Sequence, residues 1–145
     1  MASFLMINRF KFFQLADQPV NFDATGSSIR LAVLSGKFDY STESTWASVR
    51  ALSVSGGNWS QEGVLLTSKT LAASNQAWRF DAADVVISGT ATGFSDGLVI
   101  VVYASIGGTP ASAPLICAAT ADSTFGNTGG NVTIQFDSQG LFDLQ

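Results

Sequence analysis

Apolar and polar positions alternate in short runs along most of this chain, and the runs are separated by turn-forming residues. The first clear strand is Ser28-Ile29-Arg30-Leu31-Ala32-Val33-Leu34. Its period of two places Ile29, Leu31 and Val33 on one face and Arg30, Ala32 and Leu34 on the other. Ser35-Gly36 ends it. The next stretch is the one place where the period lengthens. Trp46, Val49 and Leu52 recur every three residues, Asp39 or Ser41 can cap the start, and Glu43 suits the first turn. This predicts one short helix near residues 41–52, closed by Gly56-Gly57.

From there the pattern predicts strands only. Val64–Thr67 and Thr70–Ala72 come first. Ala77–Phe80 and Val85–Thr90 follow. Leu98–Tyr103 is apolar without a break, the signature of a central strand covered on both faces. Leu115–Thr120 and Val132–Phe136 are next, the latter with Val132, Ile134 and Phe136 on one side, and Leu141–Leu144 closes the chain. The turns between them fall at Asp81–Asp84, Gly93–Gly97, Gly107-Gly108, Gly126–Gly130 and Ser138–Gly140. Many short strands at this spacing predict a mostly β fold, an antiparallel β-sandwich or barrel of jelly-roll-like type. No repeat of fixed period and no linker divides the chain, so residues 26–145 read as a single β domain. Residues 1–25 differ in carrying Phe4, Phe10, Phe12, Phe13 and Phe22, and read as either an N-terminal arm or a first strand.

Composition sharpens this picture. The 145 residues are 46% hydrophobic but only 12% charged, about half the usual charged share. A surface so poor in charge is expected where it meets other proteins. The seven cations are dispersed and the net charge is −4, so no basic patch for a phosphate backbone is expected and nucleic acid is not an expected partner. Gly97 to Ala121 is uncharged and long enough for a membrane helix, but Gly107-Gly108-Thr109-Pro110 interrupts it. Two strands and a turn are predicted there, with no membrane span. The apolar start, Met1 to Ile7, precedes Arg9 and Lys11, the reverse of a secretory signal. A soluble chain made in the cytoplasm is expected, in which Asn58-Trp59-Ser60 and Asn131-Val132-Thr133 are unused sequons.

A search for chemistry finds little. There is no His, so Ser-His-Asp and Cys-His nucleophile arrangements are not available. The single cysteine, Cys117, lies in the apolar run Pro114–Ala119 and reads as a small core residue. Gly126–Gly130 is glycine-rich, but no helix pattern follows to present amides to a phosphate, so it reads as a turn. Asp81 and Asp84 are close enough to share a Ca²⁺ ion or to act as an acid–base pair, yet Asp is also a turn residue, and that reading fits them best. No catalytic residue, metal ligand or cofactor is expected. Aromatic residues offer a sugar platform, with Trp46, Trp59, Trp78, Tyr40 and Tyr103 as candidates. Trp46 and Trp78 fit core faces, so Trp59, among Gly57, Asn58 and Ser60, is the best candidate for an exposed ring, though packing or a protein contact fits it better than sugar.

Taken in order, several segments resemble a family of small virion structural proteins of tailed bacteriophages. They are Ile29–Leu34, a short helix, Gly56-Gly57, Leu66-Thr67-Ser68-Lys69-Thr70-Leu71, Phe80-Asp81-Ala82-Ala83-Asp84-Val85-Val86, the strand ending at Tyr103, Pro114-Leu115-Ile116, Val132-Thr133-Ile134-Gln135-Phe136-Asp137, and Gly140-Leu141-Phe142. The resemblance covers residues 28 to 145 and extends faintly to Asn8–Phe12. Phe136 stands where the closing motif often has Trp. The resemblance implies a virion part without catalytic activity, on the head exterior as a decoration (cement) protein, or alternatively a tail-associated structural or receptor- or sugar-binding module. It implies the major capsid protein or other virion proteins as partners, and a homo-oligomer. The expected interface residues are Phe4, Leu5, Ile7, Phe10, Phe12 and Phe13 in the N-terminal segment, together with Trp59.

Overall fold

A computed structural model describes residues 4–7, 10, 20, 22, 28–74, 77–106, 108–136 and 142–144. The fold is mostly β and its strand pairs are antiparallel. The strands are β1 (Leu5–Met6), β2 (Ile29–Leu34), β3 (Val64–Leu65), β4 (Thr70–Ser74), β5 (Ala77–Asp81), β6 (Val85–Ile87), β7 (Gly97–Ala104), β8 (Leu115–Phe125), β9 (Val132–Ile134) and β10 (Phe142–Leu144). One short helix, α1 (Trp46–Val49), runs into a 3₁₀ turn at Arg50–Leu52, and a second 3₁₀ turn covers Pro110–Ser112.

The central sheet has the order β1-β8-β7-β2-β3. β2 and β7 pair along their length, from Ile29↔Ala104 to Leu34↔Val99. On one face Arg30, Ala32 and Leu34 therefore stand opposite Tyr103, Val101 and Val99; on the other, Ile29, Leu31 and Val33 oppose Ala104, Val102 and Ile100. Most of these residues are fully buried, so both faces of β7 are covered, as its unbroken apolar run predicts. The uncharged stretch Gly97–Ala121 is thus strand, 3₁₀ turn and strand. No helix among the described residues is long and apolar enough to cross a membrane. A three-stranded sheet β10-β5-β4 and the pair β6-β9 complete the strands. The central sheet ends in β1 on one side and β3 on the other, two residues each, so the described strands form open sheets and not a closed barrel.

The helix starts later than the sequence suggests. Its N-cap is Thr45, whose side chain makes no capping bond. Asp39 instead closes a turn of its own, its carboxylate accepting from the Ser41 amide (2.9 Å) and hydroxyl (2.6 Å) and its carbonyl from the amides of Thr42 and Glu43. The start of α1 is fixed by tertiary bonds: Trp46 N donates to Ala113 O, and Leu115 N donates to Ser44 O. Trp46 and Val49 are buried as their spacing predicts. Leu52 stays on the same side because the chain tightens to three residues per turn after Val49.

Two long-range ties hold the loops. Asn127 is fully buried; its Oδ1 accepts from Phe94 N (3.0 Å) and its Nδ2 donates to Ser88 O (2.9 Å). A Cβ on Gly93 would collide with the Asn127 amide, so this loop needs glycine there. Asp84 Oδ1 accepts from Phe136 N at 2.9 Å, which joins the start of β6 to the residues after β9.

Candidate functional site

Among the described residues, a dense polar cluster lies where α1 crosses the Tyr103 end of the central sheet. The Trp46 indole stacks on the Tyr103 ring, with centroids 4.3 Å apart and planes 3° from parallel. Glu62, in the turn before β3, receives donors from three parts of the chain. Its Oε2 accepts from Trp46 Nε1 (2.7 Å), and its Oε1 accepts from Arg50 Nε (2.5 Å). Tyr103 OH donates to the Glu62 carbonyl at 2.7 Å and approaches Oε2 at 3.4 Å. The sequence folds this way because α1 and the 3₁₀ turn place Trp46 and Arg50 one turn apart. Gly63, with φ of +74°, then turns the chain back from Glu62 into β3 close to the Leu31 carbonyl.

The electrostatics follow from these contacts. Partial burial raises the Glu62 pKa, but the bonds from Arg50 and Trp46, the Arg50 charge and the Tyr103 bond outweigh it, so the group sits below its ordinary value. Tyr103 is pushed well above the usual phenol range, first by burial and then by the Glu62 charge, with Arg30 and Arg50 opposing. The cluster forms one wall of an open pocket of about 370 Å³, whose other lining includes Ser105, Ile106, Thr109, Pro110 and Ala113. With its oxygens occupied and its charge paired, Glu62 is a structural anchor for the pocket wall.

A second groove, about 340 Å³, lies between the β1–β8 edge and β9. It is mainly apolar, lined by Phe4, Ile100, Ala119, Phe125, Val132 and Ile134, with Asp122 at its margin. Phe4 reaches it by packing on Phe136, with ring centroids 5.9 Å apart.

The residues expected at an interface divide into four groups. Phe4 is half-buried at the groove, and Leu5 pairs with Ala118 in the sheet. Ile7 and Phe10 are fully buried in this chain's own core; Phe10 packs edge-on against Phe22, and Phe22 against Phe80. Phe12 and Phe13 lie outside the described residues. Trp59, expected to be exposed, is only 7% exposed and packs towards Phe94. Its glycine- and serine-rich neighbours suggested a loop, but the Gly56–Trp59 bridge turns the ring inward. Its Nε1 has no hydrogen-bond partner among the described residues.

The remaining candidates fall into place as follows. Asp81 Oδ1 accepts from the adjacent Ala82 N, and Asp84 holds the distant Phe136 N, so both carboxylates serve backbone amides, one local and one long-range. No group of three or more metal-ligating side chains occurs among the described residues. Cys117 is buried and its thiol is pushed far above its ordinary pKa by that burial. Glu62 and Arg50 were not singled out by sequence. Each is a lone charged residue in a turn, and nothing local signals that Tyr103 will meet them. A scan against protein-family models, a search of curated proteins and a search of solved structures each found no match.

Proposed function

We propose that this chain is a non-enzymatic structural protein of a virion, a decoration protein that binds the outside of a bacteriophage head through protein–protein contacts. The observation that carries this reading is the chain's poverty in charge, 12% of its residues, together with apolar side chains left exposed on its strands. Leu65 on the edge strand β3 is 46% exposed, Val86 on β6 is 56% exposed, and an apolar groove opens beside the β1–β8 edge. Apolar side chains exposed on these strands, together with the groove, give a neighbour's apolar surface a place to pack. The ordered resemblance of residues 28 to 145 to phage virion proteins supports the same reading. The sugar-binding alternative loses its main candidates, since Trp46, Trp59 and Tyr103 are all buried.

In this role each copy binds only the assembled shell, and linkage then favours the intact particle. Repetition over many equivalent sites makes weak contacts sufficient. The test is co-sedimentation of the purified protein with phage shells that lack it, followed by imaging of the decorated particle. Saturable binding that weakens for Leu65→Glu or Val86→Glu supports the proposal. Absence of binding to shells, with the protein folded and monodisperse, overturns it.

A further inference from the structure

The pocket beside Glu62 has a surplus of hydrogen-bond donors. Glu62 splits its two oxygens between Trp46 and Arg50, so Arg50 engages it through Nε alone. The two terminal nitrogens of Arg50 make no hydrogen bond among the described residues, and its side chain is 42% exposed at the pocket. The Ser105 hydroxyl, also in the lining, makes none either. Outside the pocket lining, Arg30 stands opposite Tyr103 in the sheet, close enough for its charge to act on the phenol, and its guanidinium makes no hydrogen bond among the described residues. Around Tyr103 there are thus two guanidinium groups and one carboxylate, in a chain whose net charge is −4. The rest of the lining includes the apolar Ile106, Pro110 and Ala113, with Thr109 among them.

Unmatched planar donors call for a planar acceptor, and a guanidinium edge fits a carboxylate with two parallel bonds. The geometry points to a binding site for a small carboxylic acid. Its carboxylate lies on the terminal nitrogens of Arg50, within reach of Ser105, and its apolar body lies against Ile106 and Pro110. Glu62 takes no part in binding except to hold Arg50 in place. This inference does not depend on the virion reading, because it uses only the pocket's own donors and walls.

The test is NMR titration of the full-length protein with sodium benzoate, following the indole N–H resonance of Trp46 and the guanidinium resonances of Arg50. Benzamide serves as the uncharged arm and sodium chloride at equal ionic strength as the ionic control. The expected result is a saturable shift with benzoate, at least tenfold weaker with benzamide, and at least tenfold weaker for Arg50→Gln. Ser105→Ala and Arg30→Gln leave the Glu62 bonds intact and are expected to weaken binding by smaller factors. Together they decide the question if Arg50→Gln does not fold. The inference is overturned by a non-saturating response, by equal shifts with chloride, or by affinity unchanged in the folded variants.

Discussion

Asn127 and Phe94 hold each other through two bonds of opposite sense. Phe94 N donates to Asn127 Oδ1 at 3.0 Å, and Asn127 N donates to Phe94 O at 3.1 Å. The Asn127 side chain then spends its amide hydrogens on Ser88 O, so three loop segments meet on one buried amide. Asn127→Ala leaves the Phe94 amide and the Ser88 carbonyl without their partner. A loss of about 2–3 kcal/mol is expected, since each buried unmet group costs about 1–3 kcal/mol. Urea unfolding of the variant against the parent measures it, and a change under about 0.5 kcal/mol, the scale of an ordinary surface substitution, contradicts the assignment.

Glu62 makes stability depend on acidity. Its folded pKa lies below its ordinary value of 4.5. A depressed carboxylate contributes stability that is complete above the unfolded pKa and is lost as pH falls through the folded one. Unfolding free energy is therefore expected to fall as pH drops below about 4.5, the ordinary Glu pKa, and to fall less steeply in Glu62→Gln. The half-exposed Arg50–Glu62 pair keeps this effect modest. Parallel pH series of urea midpoints for the two proteins provide the check; identical slopes sink it.

The N-terminal segment contributes to this chain's own core. Ile7 is fully buried, and its amide bonds Ile116 O at 2.9 Å. Ile7→Ala is expected to cost about 2–5 kcal/mol, the range for emptying a packed aliphatic site. Deleting residues 2–8 removes Ile7, Phe4 and both residues of β1, and is expected to lower the melting temperature markedly. A truncated chain of unchanged stability shows instead that the segment's place is on a neighbour.

Cys117 is expected to be inert in the native state. It is fully buried and its thiol is held protonated by that burial. A thiol reagent such as DTNB should react at the rate of unfolding and immediately in denaturant. Fast native-state labelling contradicts the packing around β8.

Gly63→Ala tests the turn that delivers Glu62. A side chain at φ of +74° is strained, and its Cβ meets the Leu31 carbonyl. A cost of about 1–3 kcal/mol is expected, visible as a lower urea midpoint.

Local pattern was enough to read the elements and not enough to read the site. β7 is legible because Leu98–Tyr103 is an unbroken apolar run rich in β-branched residues, and β2 because Ile29, Leu31 and Val33 alternate along it. The helix is legible in Trp46 and Val49, but its start is not. Asp39 resembles a cap in sequence, whereas the first helical amide is satisfied by Ala113, which no local rule connects to it. Trp59 was misplaced for the same reason: its neighbours are loop residues, and the burial comes from Phe94, distant in sequence. Glu62, Arg50 and Tyr103 converge only after β3 and β7 are both in the sheet. Asn127 is a turn residue by every local criterion and becomes a buried clasp through Ser88 and Phe94.

The pairing of Leu5 with Ala118 sets an order of events in time. A ribosome adds about 5–20 residues per second, so the segment that receives β1 emerges several seconds after β1 itself. During that interval Ile7 lacks the strand its amide bonds to, and closing so long a loop is among the slower steps available to a β protein. The sheet is completed only once the last third of the chain has been made. The nascent chain therefore carries apolar side chains that a chaperone, or a second nascent copy, can reach first.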